Sequence, residues 1–337
     1  MTSTTQHVRS PWPHRLVVVL ACATFPLVWV GGLVTTTGSG MAVPDWPTTY
    51  GYNMFLYPWQ SWLHGPWGVF YEHGHRLLGS FVGMLAIALL VALLRTEGRR
   101  WLKVMGFAVL GLVVFQGLLG GMRVRLDDRT FAMLHGFTGP LFFAVTVAMV
   151  VFTSRTWENN SPQLVASSAG NIRLLAIATA ILAYLQIVLG AVLRHVPVDA
   201  QPSTFVLAVK AHLFMAALLT FHIVALATFV LLRARGARPL GGLAFALMTL
   251  ICCQIALGAG TWIVKYSVPT WAQGWVSSPS VAVQEGGAMQ THIITAHVAI
   301  GSAILGTSVA LALYAQRLLS SPTSANQIVR GKLEAAL

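Results

Sequence analysis

Tyr71-Glu72-His73-Gly74-His75-Arg76-Leu77-Leu78-Gly79 leads into an uncharged apolar run, 77–94, and its spacing decides how the chain is read. On a helix, Glu72 and His75 are three apart and His75 and Gly79 four apart, so all three share one face. That face offers an acid, a nitrogen ligand and, one turn on, a residue with no side chain. A bare helix face beside a histidine lets a flat macrocycle lie against the backbone. His-x-x-x-Gly returns as His135…Gly139 and His297…Gly301, and His212…Ala216 has alanine at the last position. Four such histidines near the starts of four membrane helices predict two bis-histidine haem sites.

The bulk composition fits that setting. Of 337 residues, 56% are hydrophobic and only 9% charged, with a mean hydropathy of +0.71. A soluble fold of this size needs far more charged surface. Apolar runs long enough to cross a bilayer occupy 16–35, 77–94, 104–122, 132–152, 174–193, 211–232, 240–264 and 293–314. The expected fold class is an all-α polytopic membrane protein with eight transmembrane helices and no large soluble domain.

A net charge of +12 suggests nucleic acid in a soluble protein, but its placement here sets orientation instead. Of 21 Lys and Arg residues, seven (Arg76, Arg123, Arg125, Arg129, Arg194, Lys210 and Lys265) lie on one side and the remaining 14 on the other. The positive-inside rule then puts both termini in the cytoplasm. Residues 16–35 show no small-x-small cleavage site, and no Arg- and Ser-rich amphipathic segment precedes them. The expectation is an uncleaved first helix in a bacterial inner (plasma) membrane. Cys22, Cys252 and Cys253 all fall in apolar runs, so no outer-loop disulfide or thiol relay is expected, and Cys252-Cys253 read as small packing residues.

The first four and last four helices read as two copies of one unit. Gln116-x-x-Leu119-Gly120, Gln186-x-x-Leu189-Gly190 and Gln254-x-x-Leu257-Gly258 repeat one phrase, and Gly31-Gly32-Leu33-Val34 matches Gly190-Ala191-Val192-Leu193. His75 and His212 are 137 positions apart, Gln116 and Gln254 138, and His135 and His297 162, the excess marking a longer final outer loop. Four helices return the chain to its starting side, so the halves share an orientation about a pseudo-twofold axis along the membrane normal. The expected units are a four-helix bundle at 1–155 with a long outer loop at 36–70, a cytoplasmic linker at 156–171, a second bundle at 172–317 and a cytoplasmic tail at 318–337. The Trp-rich outer loop has two readings, a lid over a site or an interfacial anchor. The glutamines read as hydrogen-bonding glue between helices.

All four repeat-related histidines sit near the outer ends of even-numbered helices, where paired ligands of one iron must lie at matching depth. His75 with His135, and His212 with His297, are therefore the expected metal ligands; the plainer reading of a membrane histidine is an interhelical hydrogen bond. Zinc and non-haem iron are disfavoured, because such sites gather three or four ligands with a carboxylate or thiolate. Glu72 has Val209 as its repeat counterpart, and Arg76 has no basic counterpart. A carboxylate at a membrane helix start is costly unless solvated, paired or functional, so Glu72 is a candidate catalytic group, the alternative being an exposed acid paired with Arg76. Arg194, with Arg123, Arg125, Arg129 and Lys265 on the outer face, is placed to neutralise haem propionates.

Glu72-x-x-His75-Arg76, Gly31-Gly32-x-Val34 with Thr37-Gly38-Ser39-Gly40, and Pro44-Asp45-Trp46-Pro47 together resemble the haem A synthase family, across essentially all eight helices. The resemblance implies an oxidoreductase that turns a ring methyl of haem O into the formyl group of haem A for cytochrome oxidase. It implies His75, His135 and Glu72 at the substrate haem O, and His212 and His297 on a haem B cofactor. Arg76 and Arg194 are the matching basic candidates for cofactor contact. A haem O-forming farnesyltransferase and an electron acceptor are the partners it implies, with membrane lipid around the protein and no nucleic acid. Many family members have a cysteine pair in the first outer loop; Val43 and Thr49 stand there in this chain. Thr35 also stands where many members have arginine, which Arg194 keeps in the second half. A dihaem cytochrome that only passes electrons accounts for the four histidines but not for the Glu72 asymmetry. A repeat-built transporter predicts matched midplane helix breaks, whereas Pro26 and Pro140 are unmatched.

Overall fold

Eight helices long and apolar enough to cross a membrane carry the described chain: α1 (Trp12–Thr36), α2 (Trp67–Thr96), α3 (Arg100–Leu126), α4 (Arg129–Thr153), α5 (Ala169–Arg194), α6 (Pro202–Arg233), α7 (Leu240–Tyr266) and α8 (Ala288–Leu318). This computed structural model describes residues 10–158, 164–165, 168–197, 199–234, 236–237, 239–266 and 287–320. The helices are apolar almost all round, as suits helices that meet lipid on one side and each other on the other. Punctuation is local. Pro66 and Gln201 precede α2 and α6, Asp127 turns left-handed after α3 (φ 48°), and Asp128 caps α4 by accepting the Thr130 N–H at 2.5 Å. Pro26 and Pro140 are accommodated inside α1 and α4.

Each set of four helices closes into a ring. α1 packs on α2 and α4, and α3 fills the gap between α2 and α4; α5 packs on α6 and α8, with α7 between α6 and α8. The sets meet through α4 on α8, flanked by the matching pairs α1 with α8 and α4 with α5. This exchange is what a twofold between two bundles produces. At the seam, a methyl on Gly306 of α8 would stand 2.9 Å from Phe143 Cε1 and 3.3 Å from Val147 Cγ2. The bundles therefore touch backbone to aromatic ring there, without a side chain between.

The two apolar cores lie toward the end that carries the termini. Leu20, Leu89, Leu93, Leu102 and Met149 are buried in the first, and Ile172, Leu226, Leu240, Leu247 and Leu311 in the second. Well-packed leucine, with valine and methionine in the first and isoleucine in the second, fills one end of each ring of helices, and the histidines occupy the other. Arg99 knots the terminus-side end of the first bundle: it pairs with Glu97 at 2.8 Å and Glu158 at 3.1 Å and donates to the Phe152 carbonyl at 3.0 Å. The charge count alone assigned the basic links to orientation; Arg99 also holds three segments together.

Two further expectations change. The helices outrun the apolar windows most at the outer ends, α2 beginning at Trp67 and α6 at Pro202; in α2 the polar Glu72, His73 and Arg76 find loop partners that hydropathy does not register. His75 therefore lies two turns inside α2 rather than at its start. Cys22, Cys252 and Cys253 are exposed on the helix surfaces, so they face lipid and are not packing residues. The stretch expected as a linker opens within a short helix, Arg155–Glu158, and includes Leu164–Val165, which pair in parallel with Leu319–Ser320.

Gly306→Val should lower the thermal unfolding midpoint in detergent, with an overpacking cost of about 1–3 kcal/mol. Gly111→Val, on an open helix face with nothing within 4 Å, should leave the midpoint near wild type.

Candidate functional site

His75 of α2 faces His135 of α4 with ring centres 6.1 Å apart and planes at 85°, and His212 of α6 faces His297 of α8 at 6.4 Å and 65°. These are the pairs expected from the repeat, each within one ring of helices. A metal–nitrogen bond of about 2 Å, plus roughly 1.2 Å from that nitrogen to its ring centre, separates two axial rings on one metal by about 6.4 Å. Both pairs match that span. Among the described residues no group of three or more His, Cys, Asp or Glu side chains converges as a metal site, which sets the pairs apart from zinc or non-haem iron centres.

The nitrogens fit the same chemistry. His135 Nδ1 donates to the Gln116 carbonyl at 3.1 Å, which leaves Nε2 with the lone pair a metal takes. His75 Nδ1 and His297 Nδ1 are buried with no hydrogen-bond partner. A buried orphan nitrogen is costly unless something else satisfies its ring. The Gln186 amide nitrogen lies 3.2 Å from both ring nitrogens of His212. The residues present thus fit two bis-histidine haems.

One turn beyond three of the histidines, a methyl on Gly139 would stand 3.8 Å from Gln116 Oε1 and one on Gly79 4.0 Å from Leu27 Cδ1, both ordinary contacts, while one on Gly301 would stand 3.2 Å from Gln254 Nε2. The residues that meet the imidazoles are Gly31, Gly120, Gly190 and Gly258, on the helices beside each ligand. The sequence displayed them as the ends of its repeated phrases, and nothing in a single chain says which helix faces which.

Glu72 and Arg76 turn toward the outer loop. Glu72 is buried, 4% exposed, so the reading as an exposed acid fails while its pairing with Arg76 stands, at 2.7 Å. Its second oxygen accepts the Val43 N–H at 2.8 Å. Arg76 also donates to the carbonyls of Asp45 (2.7 Å), Thr48 (2.9 Å) and Val43 (2.9 Å). Thr49 hydrogen-bonds His73 at 3.1 Å, the Trp46 ring lies against Gly121 of α3, and Arg125 reaches the Trp46 carbonyl at 3.5 Å. The loop is therefore folded across the outer ends of α2 and α3, as the lid reading requires. Its tryptophans divide: Trp59 and Trp67 are exposed, as interface anchors are, while Trp62 donates to the Phe70 carbonyl at 3.2 Å. Asp45 carries the loop's turn, accepting the Tyr50 and Gly51 N–H groups at 2.7 and 2.8 Å. Partial burial pushes the Asp45 carboxyl up, but hydrogen bonds from Gly51, Thr48 and Tyr50 outweigh it and hold it below the usual carboxylate value.

Arg194 leans out of its own bundle and donates to Thr36 Oγ1 at 2.5 Å and the Gly32 carbonyl at 3.3 Å, both on α1. With Arg123, Arg129, His195, Asp127 and Asp128 it lines an outer cavity of about 290 Å³ between the halves. Arg123 is half-buried and makes no hydrogen bond or ion pair among the described residues. Most of the final outer loop, 267–286, lies outside the described residues.

Residues 67–205 match the COX15-CtaA family, described as "Cytochrome oxidase assembly protein". Over those residues the chain is similar to that family. Its relatives include the "Heme A synthase" of Symbiobacterium thermophilum, 29% identical over 175 residues, covering 50% of this chain and 54% of that protein. The "Heme A synthase" of Alkalihalophilus pseudofirmus is 28% identical over 137 residues, covering 40% and 44%. The chain spans about half the length of the curated relatives it matches. The family match takes in Glu72, His75, Arg76 and His135 and ends inside α6, just ahead of His212.

Arg76→Ala strands a buried carboxylate and three loop carbonyls, and removing one partner of a buried pair costs on the order of 3–5 kcal/mol. Hydrogen exchange at residues 43–52 should accelerate strongly, with the exchange of the α5–α8 core unchanged. The Asp45 turn has its own pH signature. A carboxyl held below its unfolded value stabilises above that value and loses the effect as pH falls through the folded one. Protection of the Tyr50 and Gly51 amides should persist at neutral pH, vanish in acid, and be lost at all pH values in Asp45→Ala.

Proposed function

We propose that this chain is an oxidoreductase that converts a ring methyl of haem O to the formyl group of haem A for cytochrome oxidase. The observation that carries the reading is the pair of facing histidines in each bundle, at a separation that suits one iron between them, with an acid beside only the first pair. In this reading the bundle at 1–155 holds haem O on His75 and His135. The bundle at 172–317 holds haem B on His212 and His297. The relatives' names and the family description support the reaction class.

When bound, the haems supply the iron-centred redox chemistry. The protein's residues do the rest. His75 and His135 would hold the substrate macrocycle, and the leucine-rich core of the first bundle would exclude water from its inner edge. The loop held by Glu72 and Arg76 closes the outer edge and keeps partly oxidised substrate inside. Turning a methyl into an aldehyde releases protons and electrons and adds oxygen, so the site needs a proton acceptor; Glu72, one turn from His75, takes that role. Its hydrogen bond to Val43 and its pair with Arg76 couple the acceptor to the closed loop. Arg194 and Arg76 are the basic groups offered to haem carboxylates, with Arg123 as the uncommitted cation beside them. An electron acceptor and a haem O-forming farnesyltransferase complete the reaction setting. The protein lies in a bacterial plasma membrane with both termini cytoplasmic and the histidines toward the outer face.

Co-expression with a haem O-producing strain that lacks haem A, followed by chromatography of extracted haems, tests the activity. Haem A should appear only with the intact gene; its absence while the protein accumulates with bound low-spin haem would favour an electron-carrying cytochrome. Glu72→Gln should retain haem binding and lose haem A or the second oxidation step, and full activity would refute its role. A green fluorescent protein fused after Leu337 should fluoresce, and an alkaline phosphatase fused there should be inactive.

A further inference from the structure

All four histidine rings make one contact that ligation alone does not require. A methyl on Gly31 would stand 2.9 Å from His75 Cε1, one on Gly120 3.4 Å from His135 Cε1, one on Gly190 3.3 Å from His212 Cε1, and one on Gly258 3.2 Å from His297 Cε1. The same ring carbon is nearest to the methyl each time, and the nearest atoms after it also belong to that ring. Glycines used simply for close helix packing look different here. Gly106 meets leucine side chains, Gly32 meets Thr295, and Gly306 meets Phe143 and Val147. Gly83, Gly111 and Gly117, on the same helices as the first pair's ligands and seats, meet nothing.

We propose that Gly31, Gly120, Gly190 and Gly258 are positioning residues, each the seat on which the edge of one axial histidine rests, and that they set the ring planes of both imidazole pairs. The inference rests on the reading of the four histidines as iron ligands. The support around each seat follows the same register. Four residues before the glycine, on the same helix, stand Leu27, Gln116, Gln186 and Gln254. Gln116 accepts from His135 through its carbonyl, the Gln186 amide contacts His212, and Gln254 packs against Gly301 one turn beyond His297. Three rings are thus flanked by a glutamine on the seat's own helix and set against a bare backbone. His75 alone has an apolar neighbour, Leu27, in that position; it has no Nδ1 partner and the tightest seat. Its ring is held by shape, without the polar contact that Gln116 gives His135 and Gln186 gives His212.

The consequence is graded. At 3.2–3.4 Å a methyl fits only if the ring gives by a few tenths of an ångström, which tilts it while leaving the ligand present. At 2.9 Å the ring must move. Alanine is a better helix former than glycine, so a loss cannot come from weakening the helix.

The test uses full-length protein purified with its native haem. Gly190→Ala and Gly258→Ala should keep membrane levels and a low-spin spectrum but shift the largest g value of the ferric haem in electron paramagnetic resonance, which tracks the angle between axial imidazoles. Gly117→Ala should leave that value unchanged, and His297→Ala should abolish the signal. Gly31→Ala should cause the largest loss of haem O conversion among the four seat variants, with the second-half signal intact. Wild-type g values in both Gly190→Ala and Gly258→Ala, alongside signal loss in His297→Ala, would overturn the seats and leave the ligand reading standing. A wild-type signal in His297→Ala would overturn the ligand reading and the seats with it.

Discussion

The structure depends on two imidazoles from alternate helices meeting at one depth, once in each bundle. That requirement aligns α2 with α4 and α6 with α8, because ring centres 6.1 and 6.4 Å apart leave little freedom for one helix to slide past the other. A shift of a single residue along a helix is 1.5 Å of rise and about 100° of rotation, enough to separate either pair. The leucine-rich cores at the terminus end and the glycine contacts at the ligand end are the two means by which the register is held. The first supplies burial, and the second supplies close approach without bulk.

The halves share this scaffold and differ in what surrounds it. In the first, Glu72 and Arg76 are buried together and fasten a folded loop across the outer ends of α2 and α3. In the second, Val209 replaces the acid. Like frames with unlike surroundings support the proposed division between substrate and cofactor. The proposed role would give Glu72 two duties, since its carboxylate also accepts the Val43 N–H. Arg194 adds a link between the halves, crossing from α5 to Thr36 of α1, so the second bundle contributes directly to the outer edge of the first.

Much of this was legible in the chain. Hydropathy finds all eight spans because lipid demands long uncharged runs, and the expectation of matching depth within each half picks out the histidines whose rings lie close together, His75 with His135 and His212 with His297. A second set of glycines was not legible: the residues that lie against the histidine rings, Gly31, Gly120, Gly190 and Gly258, are 15 to 44 positions away from them in sequence. Contacts between helices depend on rotation about each axis, which periodicity within one helix does not specify. The loop was equally opaque: Val43, Asp45 and Thr48 act through backbone atoms that carry no side-chain signature. The final outer loop, named as the second long connection, falls largely at 267–286, beyond the described residues.

Near-infrared magnetic circular dichroism of the purified ferric protein tests the ligand pairs most directly, because the charge-transfer band of low-spin haem identifies both axial ligands. The account predicts a band at the energy of bis-imidazole coordination. A histidine–methionine, histidine–water or five-coordinate signature would contradict it.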